Sequence, residues 1–273
     1  LNLFRRVINH FFLILGYHIV RTDSEKNSPV FQNLQSMINV YEYLFQKYRN
    51  HETIPANANR AELTARLLGT PSSEAYFIIE AISRINKIPG DVCEFGVAQG
   101  ETSALIANEI RETSRKLHLF DSFEGLPRPT AKDELIDDFF GLGKIEKYEG
   151  TMNCDKKMVI QRLQEISFDS KRYVIHEGFI EKTIHQEINL PKNVSFAYID
   201  FDFYEPIFIA LNFLHNVTPE GGIFIVDDYD FFSTGVKTAV DEFIHDKNKI
   251  EKYYDIEIPD KRFGCFAILY KIK

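Results

Sequence analysis

"YYDIEIPDKRFGCFAILYKI", residues 253–272, closes the chain with two strand-like runs joined by the short loop PDKRFG, and leaves no room for a helix between them. Consecutive strands joined this tightly form a hairpin, which puts one antiparallel strand at the end of the sheet. Upstream the texture differs. DVCEFGV (91–97), KLHLFDSF (116–123), RYVIHEGF (172–179), VSFAYIDFDF (194–203) and GGIFIVDDY (221–229) are short β-rich runs separated by helical or mixed segments. Near-continuous apolar strands alternating with helices indicate a parallel sheet covered on both faces. The expected fold class is therefore α/β, a doubly wound, mostly parallel sheet ending in an antiparallel hairpin.

Ahead of the sheet lies a helical extension, expected over residues 1–70. MINVYEYLFQKYRN (37–50) places Ile38, Tyr41, Leu44, Phe45 and Tyr48 at helical spacing, which predicts a packing helix. TPSSEAYFIIEAISRIN (70–86) predicts a second helix with Ser72 or Ser73 as N-cap. The first twenty residues pair Arg5 and Arg6 with an apolar run from Phe11 to Val20 that His18 interrupts. A spanning helix needs roughly 20 apolar residues, so this segment is not expected to cross a membrane. It also lacks a small-residue cleavage site of the secretory kind. A helix packed on the catalytic domain, or on a second subunit of a homo-oligomer, is expected, with peripheral membrane contact through residues 1–20 as the alternative.

Composition bounds the function. Net charge is −8, and no basic stripe interleaved with aromatics suggests a nucleic-acid surface, so nucleic acid is not expected as a partner. Cys93, Cys154 and Cys265 are far apart and lack metal-type spacing, so neither a disulfide framework nor a zinc site is indicated and a reducing cytoplasm is the default expectation.

CEFGVAQGETSALIANEI (93–110) reads strand, glycine turn, helix, with Gly96 and Gly100 permitting close approach of backbone to a ligand. Ala98 occupies the place of the second glycine of a dinucleotide fingerprint, so a ligand without a pyrophosphate fits better, and a nucleotide-sugar dehydrogenase is disfavoured. Glu94 precedes the turn and Asp121, followed by Ser122, closes the next strand about twenty residues later. These are the expected nucleoside-binding residues. Glu94 suits a cationic ligand, and S-adenosylmethionine is a cation without phosphate.

Two further runs end in paired acids: Asp200 and Asp202 in FAYIDFDFYEP (196–206), Asp227 and Asp228 in GGIFIVDDYD (221–230). Residues two apart on an extended chain point the same way, and neighbouring parallel strands end at one edge, so up to four carboxylates meet. Carboxylates packed so closely repel one another unless a cation holds them, and oxygen-only ligands favour Mg²⁺, with Mn²⁺ or Ca²⁺ as alternatives.

The blocks GDVCEFGVAQGETS, LFDSFEGLP, YIDFDFYEP, GGIFIVDDY and GVKTAVDEF, in this order, resemble the macrocin O-methyltransferase family over roughly residues 75–272. The resemblance implies a class I methyltransferase domain over residues 71–273, Rossmann-like and seven-stranded, whose sheet ends in the hairpin already noted. It further implies S-adenosylmethionine as methyl donor and a sugar hydroxyl, on a glycan or glycosylated metabolite, as acceptor. Mapped residue by residue, it places the metal on Asp200, Asp227 and Asp228 and the base at Asp202; His176 and His185 are further candidate bases. Tyr204 and Glu205 match the family block as well. Pro206-Ile207 stands where many antibiotic-modifying members carry Ser-Thr, a departure that bears on the acceptor. The insertion at 125–153, rich in mixed charges and aromatics, is expected to be a lid over the site. The rival reading is a noncatalytic nucleoside-binding partner subunit with the same fold, for which the four acids serve no purpose.

Overall fold

In the computed structural model, which describes residues 29–47, 54, 56–186 and 189–273, seven strands share one sheet. They are β1 (Asp91–Phe95), β2 (Leu117–Asp121), β3 (Tyr173–Glu177), β4 (Val194–Ile199), β5 (Ile223–Val226), β6 (Tyr254–Glu257) and β7 (Ala267–Lys271). Their order is β3-β2-β1-β4-β5-β7-β6. The first five run parallel, and β7 lies antiparallel between β5 and β6, so the closing hairpin inserts its second strand beside β5 and leaves its first at the edge. The order reverses between β1 and β4, and ligands of open α/β sheets bind at the carboxyl ends of strands flanking such a reversal.

Eight α-helices are described: α1 (Pro29–Lys47), α2 (Arg60–Arg66), α3 (Ser72–Arg84), α4 (Glu101–Glu109), α5 (Lys156–Glu165), α6 (Ile180–Gln186), α7 (Tyr204–Val217) and α8 (Thr234–Lys247). Strand side chains alternate between two cores. Val92, Phe196, Tyr198 and Ile225 point to the face covered by α3, α4 and α5, while Cys93, Phe95, Ala197, Ile199 and Val226 point to the face covered by α7 and α8. This parity decides which acids meet which helix: beyond Tyr198 and Ile225 it carries Asp200 and Asp227 towards α3.

Two local expectations are corrected. Neither Ser72 nor Ser73 caps α3; the N-cap is Pro71, and the hydroxyls instead donate to the carbonyls of Thr64 (3.1 Å) and Phe263 (2.7 Å). These bonds tie the start of α3 to α2 and to the β6–β7 loop. On α1, Val40 and Tyr43 pack on the core, whereas Ile38 and Tyr41 are exposed. Tyr48, the side chains of Leu44 and Phe45, and the apolar run at 11–20 lie outside the described residues. No described helix is long and apolar enough to cross a membrane.

The insertion at 125–153 has a small core of its own, built from Leu126, Ile145 and Tyr148 against Phe203 and Phe232. Asp133 anchors it. One carboxylate oxygen accepts the Tyr204 N–H (2.7 Å) at the start of α7, and the other accepts the Thr130 N–H and hydroxyl (both 2.7 Å). Gly235 makes room for this anchor, since a Cβ there would stand 1.8 Å from Asp133 Oδ1.

His176 is a core residue. It is fully buried on β3, stacks on Phe120 at 4.2 Å between ring centroids, and shares a 3.0 Å hydrogen bond with His118. Burial, and then the neighbouring His118, hold its pKa down to about 4. The unfolded chain takes up a proton near the ordinary histidine value while the folded protein does so only near 4. His176 therefore costs stability as the pH falls from about 6.5 towards 4. Denaturant midpoints at pH 7 and pH 5 test this: the parent should lose more stability over that step than His176→Phe, and equal losses contradict the assignment.

Candidate active site

Gly96 opens the site. The chain turns at φ 83°, and a Cβ there would sit 1.8 Å from the Asp200 carbonyl oxygen, so only glycine lets the ends of β1 and β4 cross this closely. The turn continues through Ala98 at φ 45° to Gly100 at φ 83°, from which α4 departs. Asp121 binds the turn itself: one oxygen accepts the N–H groups of Val97 (2.7 Å) and Ala98 (3.0 Å), the other that of Phe123 (2.6 Å). Ser122 accepts from the Glu124 N–H and donates to the Gly125 carbonyl. Glu94 lies behind the turn, buried, taking a hydrogen bond from Ser103 Oγ, and burial pushes its pKa up to about 8.

A cavity of about 500 Å³ runs along this edge. Its lining includes Gly96, Ala98, Gln99, Asp121 and Ser122 of the turn and its neighbouring strand end, the acids Asp200, Asp202, Asp227 and Asp228, and the exposed aromatics Phe139, Phe140 and Phe231. Its wall carries no lysine or arginine among the described residues. A second chamber of about 510 Å³ lies under α1 and shares Asp227 and Asp228 with the first. Those two acids thus face both spaces.

The acids gather by a route other than a continued strand. β4 stops at Ile199, and the Phe203 N–H bonds the Phe201 carbonyl (2.7 Å) to close a tight turn with Asp202 at φ 63°. Ser233 Oγ pins the Asp202 carbonyl at 2.7 Å. Asp228 also takes a left-handed conformation, φ 56°. As a result one carboxylate oxygen from each of Asp200, Asp202 and Asp228 lies within 4.8 Å of the others. Asp227 stands apart from this trio: Tyr198 OH donates to its Oδ2 (2.5 Å) and the Asp228 N–H to its Oδ1 (2.8 Å).

Burial raises the pKa of Asp200, and the charges of Asp227 and Asp228 raise it further. Asp228 is pushed up by burial, then by Asp227 and Asp202, and Asp202 by burial and then Asp200. Oxygen donors in this density, without a compensating basic side chain on the cavity wall, suit a hard divalent cation beside a positively charged ligand. His185 is exposed on α6 and lines neither chamber, and Glu205 is likewise exposed. Pro206 lines the cavity from the first turn of α7, where its missing N–H costs nothing.

Sequence reading missed Glu74, which is fully buried and whose neighbours include Asp227. The signal was present: Glu74 falls in helical phase with Ile78, Ala81, Ile82 and Ile85, all buried, so it is an acid on the apolar stripe of α3.

A family model described as macrocin O-methyltransferase (TylF) matches residues 76–259. A Streptomyces olivaceus protein, 8-demethyl-8-(2,3-dimethoxy-alpha-L-rhamnosyl)-tetracenomycin-C 4'-O-methyltransferase, is 26% identical over 147 residues, which is 52% of this chain and 54% of the relative. The chain thus spans about half the length of that relative in the alignment. Among solved structures, the O-methyltransferase NovP superimposes with a TM-score of 0.63 at 19% identity, covering 87% of this chain and 100% of NovP. The calicheamicin methyltransferase CalS11 gives 0.58 at 19% identity, covering 89% and 93% of the two chains. At such identities the two structures establish the likeness of fold.

Crowded carboxylates have a measurable cost. Each has a raised pKa in the folded protein, so the stability it contributes is present at acid pH and lost as the pH rises through the folded value. Asn tolerates the left-handed backbone at 202. Asp202→Asn should therefore stabilise the chelator-treated protein at pH 8 by about 1 kcal/mol or more, and by less at pH 5. A destabilised variant at pH 8 contradicts this electrostatic description.

Proposed function

The chain belongs to the macrocin O-methyltransferase family, and we propose that it moves the methyl group of S-adenosylmethionine to a sugar hydroxyl of a glycan or glycosylated metabolite, assisted by Mg²⁺. The observation that carries this reading is the cavity wall itself, on which Asp121, Asp200, Asp202, Asp227 and Asp228 face inward without a basic side chain among them. A sulfonium donor and a divalent cation both match that field. The sugar acceptor follows from the family and from the rhamnosyl group in the name of the Streptomyces relative.

The donor is proposed to lie along the glycine turn, its ribose hydroxyls on Asp121 and Ser122 and its methionine end towards Glu94 and the acids. Asp121 keeps acceptor capacity beyond the three N–H bonds that fix the turn, so it both shapes the turn and reads the ribose. The cation is proposed on Asp200, Asp227 and Asp228, and when bound it lowers the pKa of a coordinated sugar hydroxyl. Asp227 and Asp228 face both chambers, which supports an acceptor reaching them from the chamber under α1 while the methyl group approaches along the other. Asp202 and Asp228 belong to the same carboxylate trio, one oxygen of each within 4.8 Å of the other. Asp202, as the carboxylate, would take the proton of the sugar hydroxyl as transfer proceeds. Methyl transfer is an in-line displacement, so the remaining task is alignment and exclusion of water. The insertion is proposed to serve as the lid, moving as a body because it carries its own core, with Phe139 and Phe140 closing over the mouth.

Calorimetry with S-adenosylhomocysteine tests the donor assignment: the parent should bind it and not NAD, and Asp121→Ala should bind about tenfold or more weakly. With rhamnosylated glycosides as acceptors, Asp202→Asn should keep donor and Mn²⁺ binding while losing about 10² to 10⁴ in turnover. Preference for NAD overturns the donor, and near-normal turnover of Asp202→Asn overturns the base.

A further inference from the structure

A helix that serves only to pack turns its apolar stripe inward. On α1 the stripe faces out: Leu34, Met37, Ile38 and Tyr41 are between 44% and 70% exposed. Gln32, Gln35, Ser36 and Asn39, spaced i, i+3, i+4 and i+7 and so on one face, instead line the chamber of about 510 Å³ beneath the helix. The apolar contacts that hold α1 come from Val40 and Tyr43, the Tyr43 ring meeting Phe263 at 5.0 Å between centroids. A polar face turned towards a chamber calls for something polar inside it.

Two asparagines anchor the helix. Asn33 donates to the carbonyls of Ala65 (3.1 Å) and Leu67 (3.4 Å), and Asn39 donates to that of Arg262 (2.8 Å). Gln32, Gln35 and Ser36 make no side-chain hydrogen bond among the described residues. The same chamber is lined by Asp227 and Asp228, the acids it shares with the first cavity, and Phe31 and Phe231 add aromatic surface. Its basic residues are already paired, Lys261 with Asp230 (3.3 Å) and Arg262 with Asp260 (3.1 Å). Amides and a hydroxyl both donate and accept, as a sugar hydroxyl does, whereas the carboxylates turn away an anion. The volume falls within the roughly 300 to 1,000 Å³ of small-molecule sites.

We propose that Gln32, Gln35 and Ser36 are specificity-determining residues: from α1 they hydrogen-bond the hydroxyls of an uncharged sugar held in the chamber that Asp227 and Asp228 also line. The proposal rests on the sugar-acceptor reading above and narrows it to a neutral sugar. It puts the choice of acceptor on a helix outside residues 76–259, the segment matched by the family model. It also explains why α1 keeps its polar face towards the acids at the cost of an exposed apolar stripe.

Steady-state kinetics on the full chain test this, with nitrophenyl α-L-rhamnoside, its analogues lacking one of the hydroxyls that are not methylated, and a nitrophenyl glucuronide as acceptors. Gln32→Leu and Gln35→Leu should each raise the KM for the rhamnoside by about fivefold to tenfold, with kcat and S-adenosylhomocysteine affinity near the parent's. A site that reads a hydroxyl rejects the analogue lacking it, so each variant should also lose the parent's discrimination against one deoxy analogue. Met37→Gln, on the outward face of the same helix, should leave KM unchanged, and the parent should disfavour the glucuronide. An unchanged KM in both glutamine variants overturns the proposal. So does a KM that rises equally for the rhamnoside and every deoxy analogue, because α1 then acts through shape, and so does a preference for the glucuronide. A parent that binds S-adenosylhomocysteine but methylates none of these glycosides overturns the sugar-acceptor reading itself and the proposal with it, a result distinct from the others.

Discussion

Parallel neighbours in a sheet must end at the same edge, and β4 and β5 each end in acids. That constraint brings Asp200, Asp202, Asp227 and Asp228 to one wall whether or not their charges favour it. The protein accepts the repulsion and confines it. Left-handed turns at Asp202 and Asp228, the Ser233 pin on the Asp202 carbonyl and the Tyr198 bond to Asp227 each fix one carboxylate in a defined place. Strain and raised pKa values collected in one cleft mark a site prepared for a positively charged occupant.

Other features of the fold serve that wall. Gly96 allows the ends of β1 and β4 to cross, which sets the glycine turn beside the acids. Asp133 and the small core around Tyr148 fasten the insertion to the start of α7, so the insertion is attached beside the turn that carries Asp202. α3 contributes Glu74 from the opposite side, and the Ser73 bond to the Phe263 carbonyl holds α3 against the loop that contains Gly264.

The sheet was readable because apolar strands and the closing hairpin are local patterns, and β7 runs antiparallel to β6 as the short loop at 259–264 demands. The gathering of the acids was readable for the same reason, since adjacency of parallel strands follows from the alternation of strand and helix. What escaped depended on long-range partners. Asp202 was expected to share a face with Asp200 by continuing a strand; it joins the group through a turn whose φ of 63° no alternation pattern reveals. Ser72 and Ser73 had the composition of a helix cap, but their hydroxyls donate to the carbonyls of Thr64 and Phe263. His176 was a candidate base by residue type, and its stacking on Phe120 makes it part of the core instead. Glu74 was visible as an acid on an apolar stripe, yet its place beside the acid wall required knowing that α3 lies over the face to which Asp227 points.

The central claim is that the carboxylates at the ends of β4 and β5 are held together by a divalent cation beside the donor. Anomalous diffraction from crystals grown with Mn²⁺ and S-adenosylhomocysteine addresses it most directly. The account predicts a single strong Mn²⁺ peak bound by oxygens of Asp200, Asp227 and Asp228, with the homocysteine end of the ligand next to it. Well-ordered S-adenosylhomocysteine on Asp121 with no anomalous peak among the acids at saturating Mn²⁺ would contradict it.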